Sequence, residues 1–394
     1  MTRPAFELAG IIQEYGSTFI EKYKPHPSVL RTLDALSACR TQAMGGHLDV
    51  CNSCDHIRIS YNSCRNRHCP KCQNTNRERW IVSREQDLLP VKYFHVVFTL
   101  PEQVNAFCMQ YPKDIYNKLF EASKETIEAF AGDQRHLGAQ MGMISVLHTW
   151  GQNLSLHPHV HMIIPAGGVT QVGNWKHTKG KGNFLFPVKA MSQVYRAKFM
   201  EKLMGFLQKQ GILMEKAQRQ MLYQKSWIIY AKRPFLGPKQ VIEYLGRYTH
   251  KIAISNHRIV SVEGGKVAFQ YKDYAKSGKQ SVMSLEASEF IRRFRMHILP
   301  KGFRKIRHYG FLASRNKPRL RFQQYKMGIK AVKSEKMDWK QLCMEKLNFD
   351  AERCPCCKTG KLMRILSFSA NAPPSKMQIR QRQNKVSKKK TALA

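Results

Sequence analysis

Four histidines crowd one stretch of this chain: His148, His157, His159 and His161. Alternate residues of a strand share a face, so His159 and His161 point the same way with Val160 opposite. Residues 143–149 form a second strand candidate, and residues 153–158 are turn-rich. A hairpin turning near residues 154–155 places His148 across from His161, on the same face. One histidine on an apolar strand is ordinarily a core residue. Three imidazoles converging on one point suit a divalent metal site. Imidazole accepts zinc, manganese, nickel or copper, so the ligand type leaves the metal open. Magnesium prefers oxygen, which a substrate phosphate could supply.

Cysteines make a second candidate. Cys51-x2-Cys54 and Cys69-x2-Cys72 are two knuckles with 14 residues between them. That spacing is close to a zinc ribbon, whose four thiolates close a structural tetrahedron. Cys39, His47, Cys64 and His68 are left over and could build a second site. Arg65, Arg67 and Lys71 thread the knuckles. Zinc would fix a small scaffold and turn those charges toward phosphates; a stable module with a solvated basic face is the plainer alternative. Cys354, Cys356 and Cys357 make one further knuckle with no partner pair, which Cys343 or another molecule could complete.

Tyr244 and Tyr248 lie four residues apart in a segment that Pro238 can open as a helix. At that spacing they share a helix face, and such pairs are usually packing. A nearby metal site changes the weighing. A phenol, with a reference pKa of about 10, needs activation near neutral pH, and a metal-polarised phosphodiester gives it something to attack.

The surrounding chain must position these groups. It has 394 residues, enough for two or three domains. Lys plus Arg number 66 against 27 Asp plus Glu, a net charge of +39. Such an excess calls for a polyanionic partner, most simply nucleic acid. No apolar run approaches a membrane span and no signal peptide is evident, so the expected setting is cytoplasmic. There the 11 cysteines would stay reduced and favour metal over disulfides. Residues 1–38 read as two helices broken at Pro25 and Pro27, residues 80–90 as a helix, and 93–100 as a strand whose His95 is structural or a reserve ligand. Helices follow at 102–130 and 191–214, a hairpin around 263–266, and a helix at 287–296. Residues 297–321 are basic with interleaved aromatics, and Arg304, Arg307 and His308 there suit single-stranded nucleic acid. Residues 371–394 are polar and basic, the composition of a disordered tail. The expected division is 1–90, 91–335 and 336–394, in an α+β fold.

Taken together these residues resemble the HUH endonuclease superfamily, named for two histidines flanking a hydrophobic residue, here His159-Val160-His161. Within it, the chain is similar to two-tyrosine rolling-circle insertion-sequence transposases of the IS91-like group. Asn62 to Gln73, His148 to Gln152, His157 to His161, Tyr244 to His250 and Arg307 to Leu312 carry the resemblance in the family's order over roughly residues 1–370. It implies an antiparallel sheet with packed helices and an N-terminal zinc module that reads the element's ends. It also implies Mg²⁺ or Mn²⁺ at the histidines, single-stranded DNA as partner, and Tyr244 and Tyr248 as nucleophiles forming a 5′-phosphotyrosine. Related relaxases place the third ligand at the spacing of His148; other members use a glutamine or acid, which keeps Gln152 open, and His157 is a further choice. An HUH replication initiator or relaxase, an inactive zinc-dependent DNA-binding protein and an RNA-binding ribbon protein are the competing readings.

Overall fold

The computed structural model describes residues 4–235, 238–329, 338–375, 377–379 and 381. Most of the tail expected to be disordered therefore lies outside the described residues. Strands β1 (Gly46–Cys51), β2 (Ile57–Tyr61), β3 (Tyr93–Thr99), β4 (Met143–Trp150) and β5 (Leu156–Pro165) precede two short ones, β6 (Gly167–Val169) and β7 (Trp175–His177). Then come β8 (Ile229–Phe235), β9 (Ile259–Glu263), β10 (Lys266–Asp273), β11 (Lys279–Glu286), β12 (Ile306–Tyr309) and β13 (Leu362–Phe368). The fold is α+β, and its central sheet runs β12-β4-β5-β3-β8 with every neighbour antiparallel.

Parity along the strands divides that sheet into two faces. Phe94, Val96 and Phe98 of β3 and Val160, Met162 and Ile164 of β5 enter the main core. Helices Pro112–Gly132 and Val188–Lys209 cover them with Leu119, Phe120, Ile127, Tyr195, Phe199 and Leu203. Each such side chain contributes roughly 1.5–3 kcal/mol through its burial. The opposite residues, among them Tyr93, Ile144 and Ile163, pack with Val241 and Tyr244 from helix Pro238–Thr249. The sheet is thus buried on both sides, with the histidines on the helix Pro238–Thr249 side.

Packing and strand pairing cross the bounds of the expected linear division. Helix Leu8–Tyr23 shares a core with Ile259, Phe269, Phe290 and Phe294 of the β9–β11 sheet and helix Ala287–Arg295. Strand β13 pairs with β1, so residues 362–368 complete a sheet begun at residue 46. The basic 297–321 stretch also holds strand β12 and the start of helix Lys317–Lys326, neither of which its charge announced.

The turn after β12 depends on glycine. Gly310 has φ +59°, and a Cβ there would stand 1.7 Å from the Met141 carbonyl oxygen. Gly310→Ala should lower stability by at least about 2 kcal/mol, combining backbone strain with a clash against main chain. A urea midpoint equal to wild type would show that this turn relaxes freely.

Candidate active site and metal clusters

The β4–β5 hairpin builds the site. His148 pairs directly with His159, and Val146 with His161. The expected register put His148 opposite His161, so the turn closes one residue earlier than the sequence suggested. That shift moves each partner by two residues and preserves parity, so all three rings keep one face. Ring centroids lie 5.5 Å apart for His148–His159, 4.5 Å for His148–His161 and 4.8 Å for His159–His161. One ligand-capable nitrogen from each falls within 4.8 Å of the others. His157 stands next to His159, with ring centroids 5.3 Å apart, but outside this group. Gln152 lies in the connecting turn, where its carbonyl accepts from Arg258.

Hydrogen bonds engage Nδ1 in two of the rings. His159 Nδ1 donates to the His157 carbonyl at 2.6 Å. His161 Nδ1 is 2.9 Å from His95 Nε2, with the two rings stacked. In both ligand candidates Nδ1 is engaged, so Nε2 is the nitrogen that would face a metal. Burial pushes His159 down to about 4, and it also holds His161 well below its usual range, where neighbouring His148 and His159 add to the effect. Neutral imidazole is the form that binds metal.

His95 was expected to be structural or a reserve ligand. It lies on β3, where Val97 pairs with His161, so the same parity points it to the histidine face. Its Nδ1 is 3.1 Å from the Tyr244 hydroxyl, with the rings edge-on. Burial, then the charge of Lys232, pushes His95 down to about 4. A continuous path therefore runs from Tyr244 through His95 to His161. Nothing in the spacing of His95 from the other histidines announces this, because sheet order, not sequence order, makes β3 the neighbour of β5. Tyr248 follows one turn later on the same helix; its side chain lies outside the described residues.

Cations surround this face. The Lys232 ammonium sits 5.7 Å from the Tyr244 ring centroid. Lys305 donates to the Lys251 carbonyl at 3.2 Å, and burial pushes its ammonium down to about 8. A cavity of about 890 Å³ beside the tyrosine helix is lined by Arg40, Lys71, Arg77, His250, Lys251 and Arg258. Its composition suits a phosphate backbone.

The cysteines partition differently from the expected ribbon of Cys51, Cys54, Cys69 and Cys72. Cys39, Cys64, Cys69 and Cys72 form one cluster; Cys51 and Cys54 meet Cys354 and Cys357 in another. Strand β1 carries the Cys51 knuckle to the far end of its hairpin, away from Cys69. Sulfur separations of 3.6 Å for Cys39–Cys72, 3.6 Å for Cys39–Cys69 and 3.8 Å for Cys64–Cys72 suit tetrahedral coordination. The leftover histidines are not ligands in either cluster. His47 contacts Asp49 at 3.5 Å, and His68 Nε2 accepts from the Leu299 amide at 3.3 Å.

The first cluster leads directly to the tyrosine helix. Helix Gln73–Glu85 starts at Cys72 and packs against the tyrosine helix. Gly246, between the two tyrosines, permits that approach: a Cβ there would stand 2.4 Å from Ile81 Cδ1. Several residues expected to contact DNA serve the fold. Arg67 donates to the carbonyls of Phe303, at 2.5 Å, and Pro300, at 2.7 Å. Arg307 lies over the Phe120 ring and donates to Asn117. His308 is on β12 with a buried Nε2, and Lys71 pairs with Glu7 at 2.8 Å. Arg65 and Arg304 are exposed.

Comparison with known proteins identifies the family. The family model described as "Putative transposase" matches residues 142–319, and the IS91-type "Transposase zinc-binding domain" matches residues 11–100. "Putative transposase y4qJ" of Sinorhizobium fredii is 39% identical over 392 residues, covering 95% of this chain and 98% of its own. "Transposase for insertion sequence element IS801" of Pseudomonas savastanoi pv. phaseolicola is 28% identical, covering 83% of this chain and 81% of its own. Among solved structures, conjugative relaxase TrwC in its metal-bound complex with OriT DNA is 12% identical, covers 40% of this chain and 71% of its own, and has a TM-score of 0.25. The chain belongs to the IS91-like transposase family and carries that family's N-terminal zinc-binding domain.

Proposed function

We propose that this transposase nicks and rejoins single-stranded DNA through a tyrosine nucleophile, moving an insertion sequence by a rolling-circle type of mechanism. The observation that carries this reading is the hydrogen-bonded path Tyr244–His95–His161, which sets a phenol beside a three-histidine cluster. A divalent ion, Mg²⁺ or Mn²⁺, held by His148, His159 and His161 would act as a Lewis acid on the scissile phosphate. The residues themselves do the rest. With Nε2 of His161 turned to the ligand point, its Nδ1 carries the proton and donates to His95 Nε2. A neutral imidazole has one donor and one acceptor, so His95 then carries its proton on Nδ1 and donates to the Tyr244 oxygen. That hydrogen bond steadies negative charge on the phenolic oxygen as it attacks.

In the proposed step the Tyr244 oxygen bonds to phosphorus and the bond from phosphorus to the 3′ oxygen breaks. The phenolic proton leaves to solvent, and the 3′ oxygen takes up a proton. The products are a 5′-phosphotyrosine and a free 3′-hydroxyl. Attack by another 3′-hydroxyl reverses the step and transfers the strand, with no energy source beyond the phosphodiester. Tyr248, one helical turn on, would allow a second cleavage while the first adduct persists. Lys232, Lys251 and Lys305 would draw the phosphates in, and the exposed Arg65 and Arg304 are the candidates for contact with flanking DNA.

Incubation with single-stranded DNA carrying an element end and Mn²⁺ should yield a covalent adduct on a denaturing gel. Tyr244→Phe combined with Tyr248→Phe should abolish the adduct while DNA binding persists. DNA bound without adduct under Mg²⁺ and Mn²⁺, for both strands, would instead favour an inactive DNA-binding protein. His95→Ala should slow nicking about 10- to 100-fold, the usual effect of losing a residue that orients a metal ligand. DNA affinity should stay at the wild-type value. Nicking at the wild-type rate would remove His95 from the mechanism.

A further inference from the structure

The Cys354 knuckle, which has no partner pair near it in sequence, meets one across the fold. We infer that Cys51, Cys54, Cys354 and Cys357 hold a second structural zinc ion, which fastens the two ends of the chain into one module. A tetrahedron with metal–sulfur bonds of ~2.3 Å has sulfur–sulfur edges of about 3.8 Å. Cys51 and Cys357 sulfurs are 3.7 Å apart, and so are those of Cys54 and Cys354. All four lie within 4.8 Å of one another. A disulfide, at ~2.05 Å, is far shorter.

The surrounding main chain is built for thiolates. The amides of Ser53 and Cys54 donate to Cys51 Sγ at 3.3 and 3.5 Å, and the Gly360 amide donates to Cys357 Sγ at 3.3 Å. Each knuckle thus supplies donors to one of its own sulfurs, which stabilises the charged form that a metal requires. The two knuckles are also tied to each other. Asn52 donates to the Lys361 carbonyl at 3.0 Å, and Lys361 returns a bond to Asn52 Oδ1 at 2.7 Å. Gly360 is required at the contact, since a Cβ there would stand 2.5 Å from Cys51 Sγ. Cys356, between the two ligands, is exposed and outside the cluster.

Packing alone is a weak reason for this junction to form. Its apolar cluster contains only Cys51, Cys354 and Leu362 as buried members, with Cys357 against them. Yet it joins positions 306 residues apart. A metal binding the folded arrangement and not the open chain supplies what so small a cluster lacks. Tetrahedral thiolate coordination accepts zinc or iron. Zinc is the choice here because Cys51 and Cys54 lie within the residues matched by the family's zinc-binding domain, and four protein thiolates close the tetrahedron of a structural site. The consequence is structural: strand β13 and the 354–357 knuckle belong to the N-terminal zinc module, although the family's zinc-binding domain matches only residues 11–100.

The test uses the full chain, purified with zinc under reducing conditions. Brief alkylation followed by peptide mass spectrometry should modify Cys356 while leaving Cys51, Cys54, Cys354 and Cys357 protected. A zinc chelator should expose those four together. Metal analysis of the Cys354→Ser, Cys357→Ser double variant should show one zinc ion fewer per chain than wild type. The inference falls if Cys354 and Cys357 alkylate as fast as Cys356 in the zinc-loaded chain, if the double variant keeps its full zinc content, or if the bound metal is iron. Should the variant fail to fold, the alkylation pattern of the wild-type chain decides by itself.

Discussion

Side chains on neighbouring antiparallel strands meet only when register and parity agree, and the histidine face depends on both at three strands. β5 supplies His159 and His161, β4 supplies His148, and β3 supplies His95. A slip of one residue in either pairing would send a histidine into the core formed with helices Pro112–Gly132 and Val188–Lys209. The apolar residues between the histidines prevent it. Val160 and Met162 must be buried on the helix side, so His159 and His161 are held to the other. The core thereby orients the histidines without enclosing them.

One helix covers that face. Helix Pro238–Thr249 brings Tyr244 to His95, and its back rests on helix Gln73–Glu85, which begins at the last cysteine of the first cluster. Gly246 lets the two helices approach closely. The zinc-binding domain is therefore mechanically joined to the tyrosine helix. Arg67 adds a second tie, reaching from between the cysteines to the carbonyls at 300 and 303. Arginine suits this task because several carbonyls can share one rigid fork of donors. Charge that reads as nucleic-acid binding in the sequence is in part an internal clamp.

The positive excess of the chain retains a role at the site. Lys305 and Lys251 meet at this face, and after desolvation each is opposed by neighbouring cations, Arg67 for Lys305 and Arg258 and Lys272 for Lys251. Burial lowers the tendency of both ammonium groups to hold their charge. A bound phosphate would relieve that repulsion, which is a physical reason for a polyanionic ligand at this face.

Local signals in the sequence sufficed for the histidine strand, the tyrosine helix, the metal-binding chemistry of the cysteines and the α+β class. Each rests on a period or spacing within a few residues: His159 and His161 at strand alternation, Tyr244 and Tyr248 at one helical turn, Cys-x2-Cys in each knuckle. What no local pattern contains is which segments become neighbours. Proximity along the chain groups Cys51 and Cys54 with Cys69 and Cys72, whereas the fold pairs them with Cys354 and Cys357. His95 likewise joins His161 because β3 lies beside β5, a choice made by sheet order. Arg307 and His308 read as a free basic stretch until β12 places them at the sheet edge against Phe120 and Ile144. Short-range geometry follows from residue type and spacing; long-range partners follow from how the apolar faces close, and only the packed molecule decides that.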